Sequence, residues 1–307
     1  MRLFENPNND FVGRRRTGYL ISGVLLLISI VSLATRGIET GIDFQGGTEF
    51  IVETSEPVGV VEARSALAAA LGEAPEVKLY GDDNTLLVRS AVGGEIDALQ
   101  ANVEQGFASA FPAANARVVG NESFGPRFAN ELRRGAVYAV LGALLVILLY
   151  ISVRFSWRYA LGAVVCLIHD VTIVLGLFSL LQGVVPFSLQ IDQAIIAAFL
   201  TIVGYSLNDT VIIFDRIREY ASLFKTERFD LVANKSVNAT LSRTVVTSLT
   251  TLIVTIVLFI FGGEVLKGFA FALTMGIVIG TYSSIFVATP VVVELRTRAE
   301  EAGLARR

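Results

Sequence analysis

Two charged residues lie in stretches of sequence that are otherwise apolar enough to cross a membrane. Asp209 follows Asn208 in the run TIVGYSLNDTVIIFDRIREY (201–220), and Arg243 lies near the start of the next such run. A charge in hydrocarbon costs about 2.5–3.5 kcal/mol on insertion scales, so it usually faces the interior of a helix bundle and finds a partner. We therefore expect Asp209 and Arg243 to form an ion pair between antiparallel helices.

An aspartate–arginine pair inside a membrane can carry a proton. Arginine keeps its proton under ordinary conditions, whereas a buried carboxylate can gain one. If a moving helix separates the two charges and brings them together again, Asp209 switches between a charged and a neutral form. The chemistry that this pattern indicates is a proton relay. The competing interpretation is a static polar contact that only holds two helices together.

Other polar side chains recur at helical spacing along the apolar runs, so each of four runs has one polar face. These faces comprise Thr201, Tyr205, Asn208 and Asp209; Arg243, Thr247, Thr250 and Thr251; Thr274, Thr281 and Ser284; and His169, Asp170, Thr172 and Ser179. We expect the four faces to pack against one another. Adjacent residues point about 100° apart on a helix, so at most one of His169 and Asp170 is expected to face the shared interior.

The composition is that of a membrane protein with one small polar domain. The 307 residues are 53% hydrophobic and 17% charged, against a usual charged share of about a quarter. Six runs reach the ~18 to 20 residues of a membrane-spanning helix, at 17–35, 136–153, 159–181, 193–214, 240–261 and 268–293. The first run follows Arg14–Arg16, as the apolar region of a signal peptide follows its basic residues. It is longer than the ~7–15 apolar residues of a signal peptide, so we expect it to be retained as a membrane helix.

The sequence gives no argument for a nucleic-acid partner or for a cofactor. The formal net charge is −3. There is no Gly-x-x-x-x-Gly-Lys loop for a nucleotide and no cluster of metal ligands.

Lys and Arg residues are concentrated on one side of the six runs, which predicts that both termini are cytoplasmic. They precede the first run, occur in 215–239 and follow the sixth run as Arg296, Arg298, Arg306 and Arg307. The loops on the opposite side, 182–192 and 262–267, contain a single Lys or Arg residue, Lys267. The predicted organisation is a cytoplasmic N-terminus with helix one (1–35), an extracytoplasmic domain (36–135), helices two to six (136–293) and a cytoplasmic tail (294–307).

Residues 36–135 alternate between strand and helix patterns. Strand-like runs occupy 48–54, 76–80, 85–90 and 116–122, and helical runs occupy 58–72 and 94–111. The turn residues 81–84 predict a hairpin between the second and third strands. The order β-α-β-β-α-β is that of the α+β ferredoxin-like unit. Gly46 and Gly47 predict a tight turn or hinge where a membrane helix meets the sheet.

Several stretches together resemble the SecF family of bacterial protein-export membrane proteins. They are GIDFQGGTEF (41–50), the extracytoplasmic domain, HDV (169–171), GYSLNDTVIIFDRIRE (204–219) and ATLSRTVVTS (239–248), and they cover nearly the whole chain in order. The resemblance implies a multi-pass protein of the bacterial cytoplasmic (inner) membrane, within the resistance-nodulation-division superfamily. It also implies pairing with SecD, cooperation with the SecYEG translocon, and handling of preprotein driven by the proton motive force.

The resemblance also implies further partners and roles for single residues. YajC and YidC become candidate partners. Asp209, Arg243 and Thr247 match the family's proton-coupling residues, with Asn208 in the same motif. His169 and Asp170 are secondary candidates.

Three other functions fit parts of this pattern. Asp170 and Asp209 resemble the dyad of an intramembrane aspartyl protease, but the residues before Asp209 lack Gly-x-Gly-Asp and Arg243 would keep it ionised, so we expect no enzymatic activity. Half of a proton-driven small-molecule antiporter would need a ligand pocket in the extracytoplasmic domain. A passive assembly scaffold would use the polar faces only as contacts, and Asp209→Asn would then leave export intact.

Overall fold

The computed structural model describes the backbone of residues 7–304 and the side chains of residues 7–301. Predicted features at 1–6 and at Arg306 and Arg307 lie outside the described residues. In chain order the helices and strands are α1 (Arg15–Arg36), α2 (Ile42–Gln45), β1 (Gly47–Glu53), α3 (Val60–Leu71), β2 (Glu76–Tyr80), β3 (Asp82–Ser90), α4 (Ile96–Ala110), β4 (Arg117–Phe124), α5 (Pro126–Arg154), α6 (Trp157–Leu181), α7 (Gln193–Leu223), α8 (Phe229–Phe261), α9 (Gly263–Ser283) and α10 (Thr289–Leu304). A π-helical turn (Ser284–Ala288) joins α9 to α10.

Six helical segments of the described chain are long and apolar enough to cross a membrane, which confirms the predicted number. They are α1, α5, α6, α7, α8 and the segment Gly263–Glu301. α7 and α8 are longer than predicted, so the expected loop 215–239 is reduced to residues 224–228. The sequence interpretation was wrong there because Phe229, Val232 and Val237 have helical spacing and bury against the bundle.

The helix α5 begins at Pro126, inside the segment 36–135 that was expected to form the extracytoplasmic domain. Proline is favoured at the first helical position because its fixed φ suits a helix and its missing N–H is not needed there. Gly125 precedes it in an extended conformation. The helix therefore runs unbroken from the last strand into the apolar segment.

The domain between α1 and α5 is a four-stranded antiparallel sheet with α3 and α4 packed on one face. The strand order is β2-β3-β1-β4, and the elements follow the predicted order β-α-β-β-α-β. Its core comprises Phe50, Val52, Leu86 and Val88 from the sheet and Leu67, Val103 and Phe107 from the helices. β3 begins at Asp82, so the predicted turn 81–84 narrows to Gly81, whose φ is +84°.

Gly46 and Gly47 form the tight turn that the sequence predicts at the start of β1. Their φ angles are +86° and +151°, a region that residues with a side chain rarely adopt. A Cβ atom on Gly47 would lie 2.3 Å from the carbonyl oxygen of Ser90. The short helix α2, which the sequence did not predict, packs beside this turn against α5. The role of the turn as a hinge stays a prediction.

Hydrogen bonds join this domain to the N-terminal end of α7. The N–H of Gly41 donates to the carbonyl of Ile191 (2.9 Å), and the N–H of Ile191 donates to the carbonyl of Glu39 (2.8 Å). The carboxylate of Asp43 accepts from the N–H of Gln193, the first residue of α7 (3.0 Å). The domain and the membrane helices are therefore joined directly at this corner.

Five charged side chains, here called the junction cluster, lie at the same corner: Glu49, Glu76, Lys78, Arg89 and Asp192. Arg89 lies 2.6 Å from Glu49, 3.8 Å from Glu76 and 3.7 Å from Asp192. Lys78 Nζ lies 2.8 Å from Glu76 Oε1, an ionic contact without hydrogen-bond geometry. Burial raises the pKa of Glu76, but Lys78 and Arg89 outweigh it and hold that pKa below its ordinary value of 4.5. Burial raises the pKa of Asp192.

Candidate functional site

Asp209 is buried between α7, α8 and α9, with a solvent exposure of 0%. Its Oδ2 accepts a hydrogen bond from Ser248 Oγ on α8 (3.3 Å). Ser248 Oγ accepts one in turn from Thr281 Oγ1 on α9 (2.7 Å), whose single hydrogen is shared with the carbonyl oxygen of Ile277 (2.7 Å). Oδ1 is buried and has no partner among the described residues. A buried charged oxygen without a donor is unfavourable, so this atom is a place where a proton can bind.

Glycines on α9 allow α7 to approach closely enough to bury Asp209. A Cβ atom on Gly276 would lie 2.3 Å from the side chain of Ile202, and one on Gly280 would lie 3.0 Å from Ser206 Cβ. Small residues at such contacts are typical of membrane helices, because lipid supplies no hydrophobic force between them. The buried face of α7 therefore carries Ile202, Ser206 and Asp209, at positions i, i+4 and i+7.

Arg243 does not form the expected ion pair with Asp209. Its side chain is exposed on α8, and none of the ion pairs among the described residues includes it. Arg243 and Ser248 are five residues apart and point about 140° away from each other, so only Ser248 reaches the carboxylate.

Asn208 and Thr247 also lie away from the buried carboxylate. Asn208 is exposed because it is adjacent to Asp209 and points about 100° away. Thr247 is partly buried, and its hydroxyl donates to the carbonyl of Arg243 in the same helix (2.9 Å). We refer to Asn208, Arg243 and Thr247 as the outer polar set.

A second carboxylate, that of Asp170 on α6, is buried together with the ring of His169. Their exposures are 0% and 3%. Asp170 Oδ1 lies 2.8 Å from His169 Nδ1, and Oδ2 accepts from Ser206 on α7 (2.5 Å) and Ser283 on α9 (2.8 Å). The expectation that at most one of the two faces the interior is wrong, because the His169 ring lies between Asp170 and Ser22 of α1 (3.1 Å).

The sequence did not predict the serines that contact the two carboxylates, Ser206, Ser248 and Ser283, or the serine that contacts His169, Ser22. Ser and Thr in helices commonly bond to their own backbone, so residue type alone does not identify them. One signal was present in α8, where Thr240, Thr244 and Ser248 recur at intervals of four and are buried. The face chosen from the sequence, with Arg243 and Thr247, is turned by about 100° from that one.

Comparison with known proteins identifies the family. Residues 103–298 match the model of the family described as protein export membrane protein SecD/SecF, C-terminal. Residues 31–58, which include Gly46 and Gly47, match the SecD/SecF GG motif. A protein translocase subunit SecF from Rhodothermus marinus is 60% identical over 299 residues, 97% of each chain. The chain belongs to the SecF family of protein translocase subunits.

Another SecF-family relative and two solved structures agree with this assignment. The translocase subunit SecF of Haemophilus influenzae is 36% identical, covering 96% of this chain and 88% of that protein. The crystal structure of SecDF from Thermus thermophilus, a translocon-associated membrane protein, has a TM-score of 0.81 at 37% identity over 95% of this chain. SecDF in a super-membrane-facing form has a TM-score of 0.76 at 36% identity over 100% of it. This chain spans 39% and 41% of those two chains.

SecF-family membership and the six apolar helices make this chain a multi-pass inner membrane protein and a subunit of the protein translocation machinery. Both buried carboxylates, Asp170 and Asp209, fall within the matched range 103–298. The interior of this SecF-family bundle therefore contains two separate acidic sites.

Proposed function

We propose that this SecF-family chain is the proton-coupling half of a SecDF-type complex that assists protein translocation through SecYEG. The observation that carries the proposal is the burial of Asp209 among three helices with one carboxylate oxygen unpartnered in the described structure. A proton binds Asp209 from one side of the membrane and leaves to the other. The change in charge alters the contacts between α7, α8 and α9.

The hydroxyl groups next to Asp209 support a movement that depends on protonation. Ser248 donates to the carboxylate and Thr281 donates to Ser248, so one carboxylate orients side chains on two other helices. A protonated carboxyl can itself donate, which changes the direction of these bonds. An unsatisfied buried group costs about 1–3 kcal/mol, comparable with the few kcal/mol that separate two conformations of a protein.

The outer polar set supports SecD as the partner that completes the site. Asn208 and Arg243 are exposed on membrane helices, where contact with lipid is costly for polar groups and for charge most of all. Only 17% of the most apolar 18-residue stretch of α8 is buried within this chain. We infer that a SecD subunit covers Arg243 and supplies the rest of the proton path, with Thr247 beside it.

In the proposed topology both termini are cytoplasmic and the sheet domain lies on the opposite side of the membrane. The distribution of Lys and Arg supports this orientation. The strand order and the two helices on one face favour a ferredoxin-like fold for the domain. Its role would be to handle preprotein, and β4 at the edge of the sheet can pair with an extended segment. YajC and YidC remain candidate partners of the complex.

We propose no enzymatic role for the two aspartates. Asp170 bonds to Ser206 and Ser283, whereas Asp209 bonds to Ser248, so the carboxylates share no hydrogen-bond partner in the described structure. The dyad of an aspartyl protease instead shares one proton between two adjacent carboxylates.

The experiment that tests the proposal is proton-gradient-dependent export in vesicles that contain this chain, SecD and SecYEG. Asp209→Asn keeps the size of the side chain but removes its ability to change charge. We expect this variant to assemble at the wild-type level and to lose the gradient-dependent part of export.

The matched control is Asp215→Asn on the same helix. Asp215 is exposed and pairs with Arg154 at 3.0 Å, outside the buried site. We expect this control to export as the wild type does. If Asp209→Asn also exports normally at equal protein level, the buried polar groups are structural and the chain is a passive scaffold.

A further inference from the structure

We propose that Asp170 and His169 form a second proton-binding site in the membrane domain, coupled to Asp209 through the turn Thr281–Ser283 of α9. The inference rests on the proposed function for its role in transport. Its geometry is independent of Asp209, because the pair has its own partners on α1, α7 and α9.

A chain of hydrogen bonds fixes which ring nitrogen of His169 carries a proton. The hydroxyl of Tyr282 has one hydrogen and donates it to the carbonyl of Gly18 (2.7 Å). Ser22 Oγ lies 3.2 Å from that hydroxyl, so Ser22 must be the donor of their bond. Ser22 has then used its only hydrogen, and it accepts from His169 Nε2 at 3.1 Å. The three bonds form together only when Nε2 is protonated.

The protonated Nε2 determines how many protons the pair holds. Asp170 Oδ1 lies 2.8 Å from His169 Nδ1, and two acceptors at this distance need a hydrogen between them. That hydrogen belongs either to an imidazolium beside a carboxylate or to a carboxyl beside a neutral ring. In both forms the pair carries one proton more than a neutral histidine beside a charged aspartate. This arrangement of bonds therefore requires one additional proton on the His169–Asp170 pair.

The surroundings of the pair are polar but uncharged. The titratable groups that bond to the pair or to its partners are Cys166 on α6 and Tyr282 on α9. α1 contributes the hydroxyl of Ser22, and α7 contributes that of Ser206. α7 also carries Asp209, which is held by Ser248 on α8. With no cation among these partners in the described structure, the shared proton is what neutralises Asp170.

One turn of α9 contacts both acidic sites. Thr281 donates to Ser248, the partner of Asp209. Tyr282 ends the hydrogen-bond chain that starts at His169, and Ser283 donates to Asp170. The π-helical turn follows directly at Ser284, and such turns are frequent at functional sites because they interrupt the regular ladder of a helix. A shift of this turn alters the bonds of both carboxylates at once.

The test uses the fact that His169 is the only histidine of the 307 residues. The full chain is labelled with ¹⁵N-histidine, purified without a histidine tag and placed in lipid nanodiscs, so that every ring-nitrogen signal comes from His169. We expect Nε2 to give the signal of a protonated nitrogen. A neutral ring with its proton on Nδ1 and a bare Nε2 would overturn the proposal.

Tyr282→Phe tests the direction of the hydrogen bonds that run from His169 through Ser22 to Tyr282. Without the phenol, Ser22 is free to donate to Nε2, and we expect the Nε2 signal to lose its protonated character in part or completely. Tyr138→Phe is the matched control, since Tyr138 is 70% exposed on α5, and its spectrum should equal that of the wild type. An unchanged spectrum for Tyr282→Phe would contradict the assignment. Asp170→Asn provides a second variant, in which the Nδ1 signal should change.

Coupling between the two sites is tested by the His169 spectrum of Asp209→Asn. We expect a shift of the ring-nitrogen signals, and no shift for the exposed Asp215→Asn. An unshifted spectrum for Asp209→Asn would overturn the coupling. The spectra are recorded without a proton gradient and without export. A spectrum that contradicts the second site therefore does not contradict the proposed function. Conversely, if Asp209→Asn has no effect on export, the number of protons inferred for the His169–Asp170 pair does not change.

Discussion

Ser248 and Thr247 are adjacent on α8, yet their hydroxyl groups have different roles. Ser248 is buried, donates to Asp209 and accepts from Thr281. Thr247 donates to a carbonyl of its own helix, that of Arg243. A hydroxyl bonded to its own helix adds little to the packing of the bundle, whereas removing the donor of a buried carboxylate leaves that carboxylate unpartnered.

We predict that Ser248→Ala lowers the free energy of unfolding by about 1–3 kcal/mol, because Asp209 loses the one donor that the described structure gives it. Thr247→Ala is the matched control and should change the free energy by less than about 0.5 kcal/mol. Unfolding of the purified chain in detergent measures both values. Equal destabilisation by the two substitutions would contradict the role of Ser248.

The sequence predicted which residues of the site are unusual but not which of them meet. Asp209 and Asp170 stand out because a charge in an apolar run is costly and rare. Thr201, Tyr205 and Asn208 have helical spacing, and so do Ser206 and Thr210, so two faces of α7 fit the same pattern. The two faces are distinguished by α9, whose Gly280 lies close to Ser206. That information lies in another helix.

At the scale of elements, α9 shows what helical periodicity cannot predict. The apolar pattern gave one span at 268–293, and the structure has a continuous helical segment there with a π-helical turn at Ser284–Ala288. Thr289 Oγ1 donates to the carbonyl of Ser284 (2.9 Å), which satisfies a main-chain acceptor at the irregular turn. The amino-acid composition of the π-helical turn does not distinguish it from the regular helix on either side. Its position next to Tyr282 and Ser283 links it to the acidic sites.

The junction cluster makes the stability of the contact between the sheet domain and the bundle depend on pH. Glu76 is buried beside Lys78 and Arg89, and its pKa is held below the ordinary value of 4.5 by these cations despite burial, which raises it. A carboxyl whose pKa is lower in the folded chain stabilises the fold above the unfolded pKa. This contribution is lost as the pH falls through the folded pKa.

We predict that Glu76→Gln lowers stability by about 3–5 kcal/mol at neutral pH, because it leaves Lys78 without its buried partner. The difference from the wild type should stay constant down to about pH 4.5 and shrink below it, where the wild-type carboxyl becomes protonated. Thermal unfolding at a series of pH values measures this. Asp192, whose pKa is raised by burial, responds in the opposite sense and is present in both proteins, so the difference reports mainly on Glu76.

The control for the junction cluster is Glu56→Gln. Glu56 is exposed on the same domain, so its removal should change stability little at any pH. A difference between wild type and Glu76→Gln that does not depend on pH would show that the carboxyl acts by packing and not by its charge.

At the scale of the whole molecule, the membrane helices form an incomplete bundle. In the most apolar 18-residue stretch of each helix, only 6% of α5 and 17% of α8 are buried within this chain. Both helices are apolar enough for lipid, so hydropathy alone does not tell which of their surfaces meets a partner. The outer polar set makes the distinction, because Arg243 on α8 needs a polar neighbour and the outward side of α5 around Val146 does not.

We predict that a photo-crosslinking amino acid at position 208 captures SecD when the two proteins are produced together, because Asn208 belongs to the outer polar set that a SecD subunit would cover. The same amino acid at position 146 should give little or no SecD product, since Val146 is 66% exposed on an apolar surface suited to lipid. Immunoblotting of irradiated membranes for SecD measures both. Capture from 146 and not from 208 would place the interface on α5 and leave Arg243 without the partner that its charge requires.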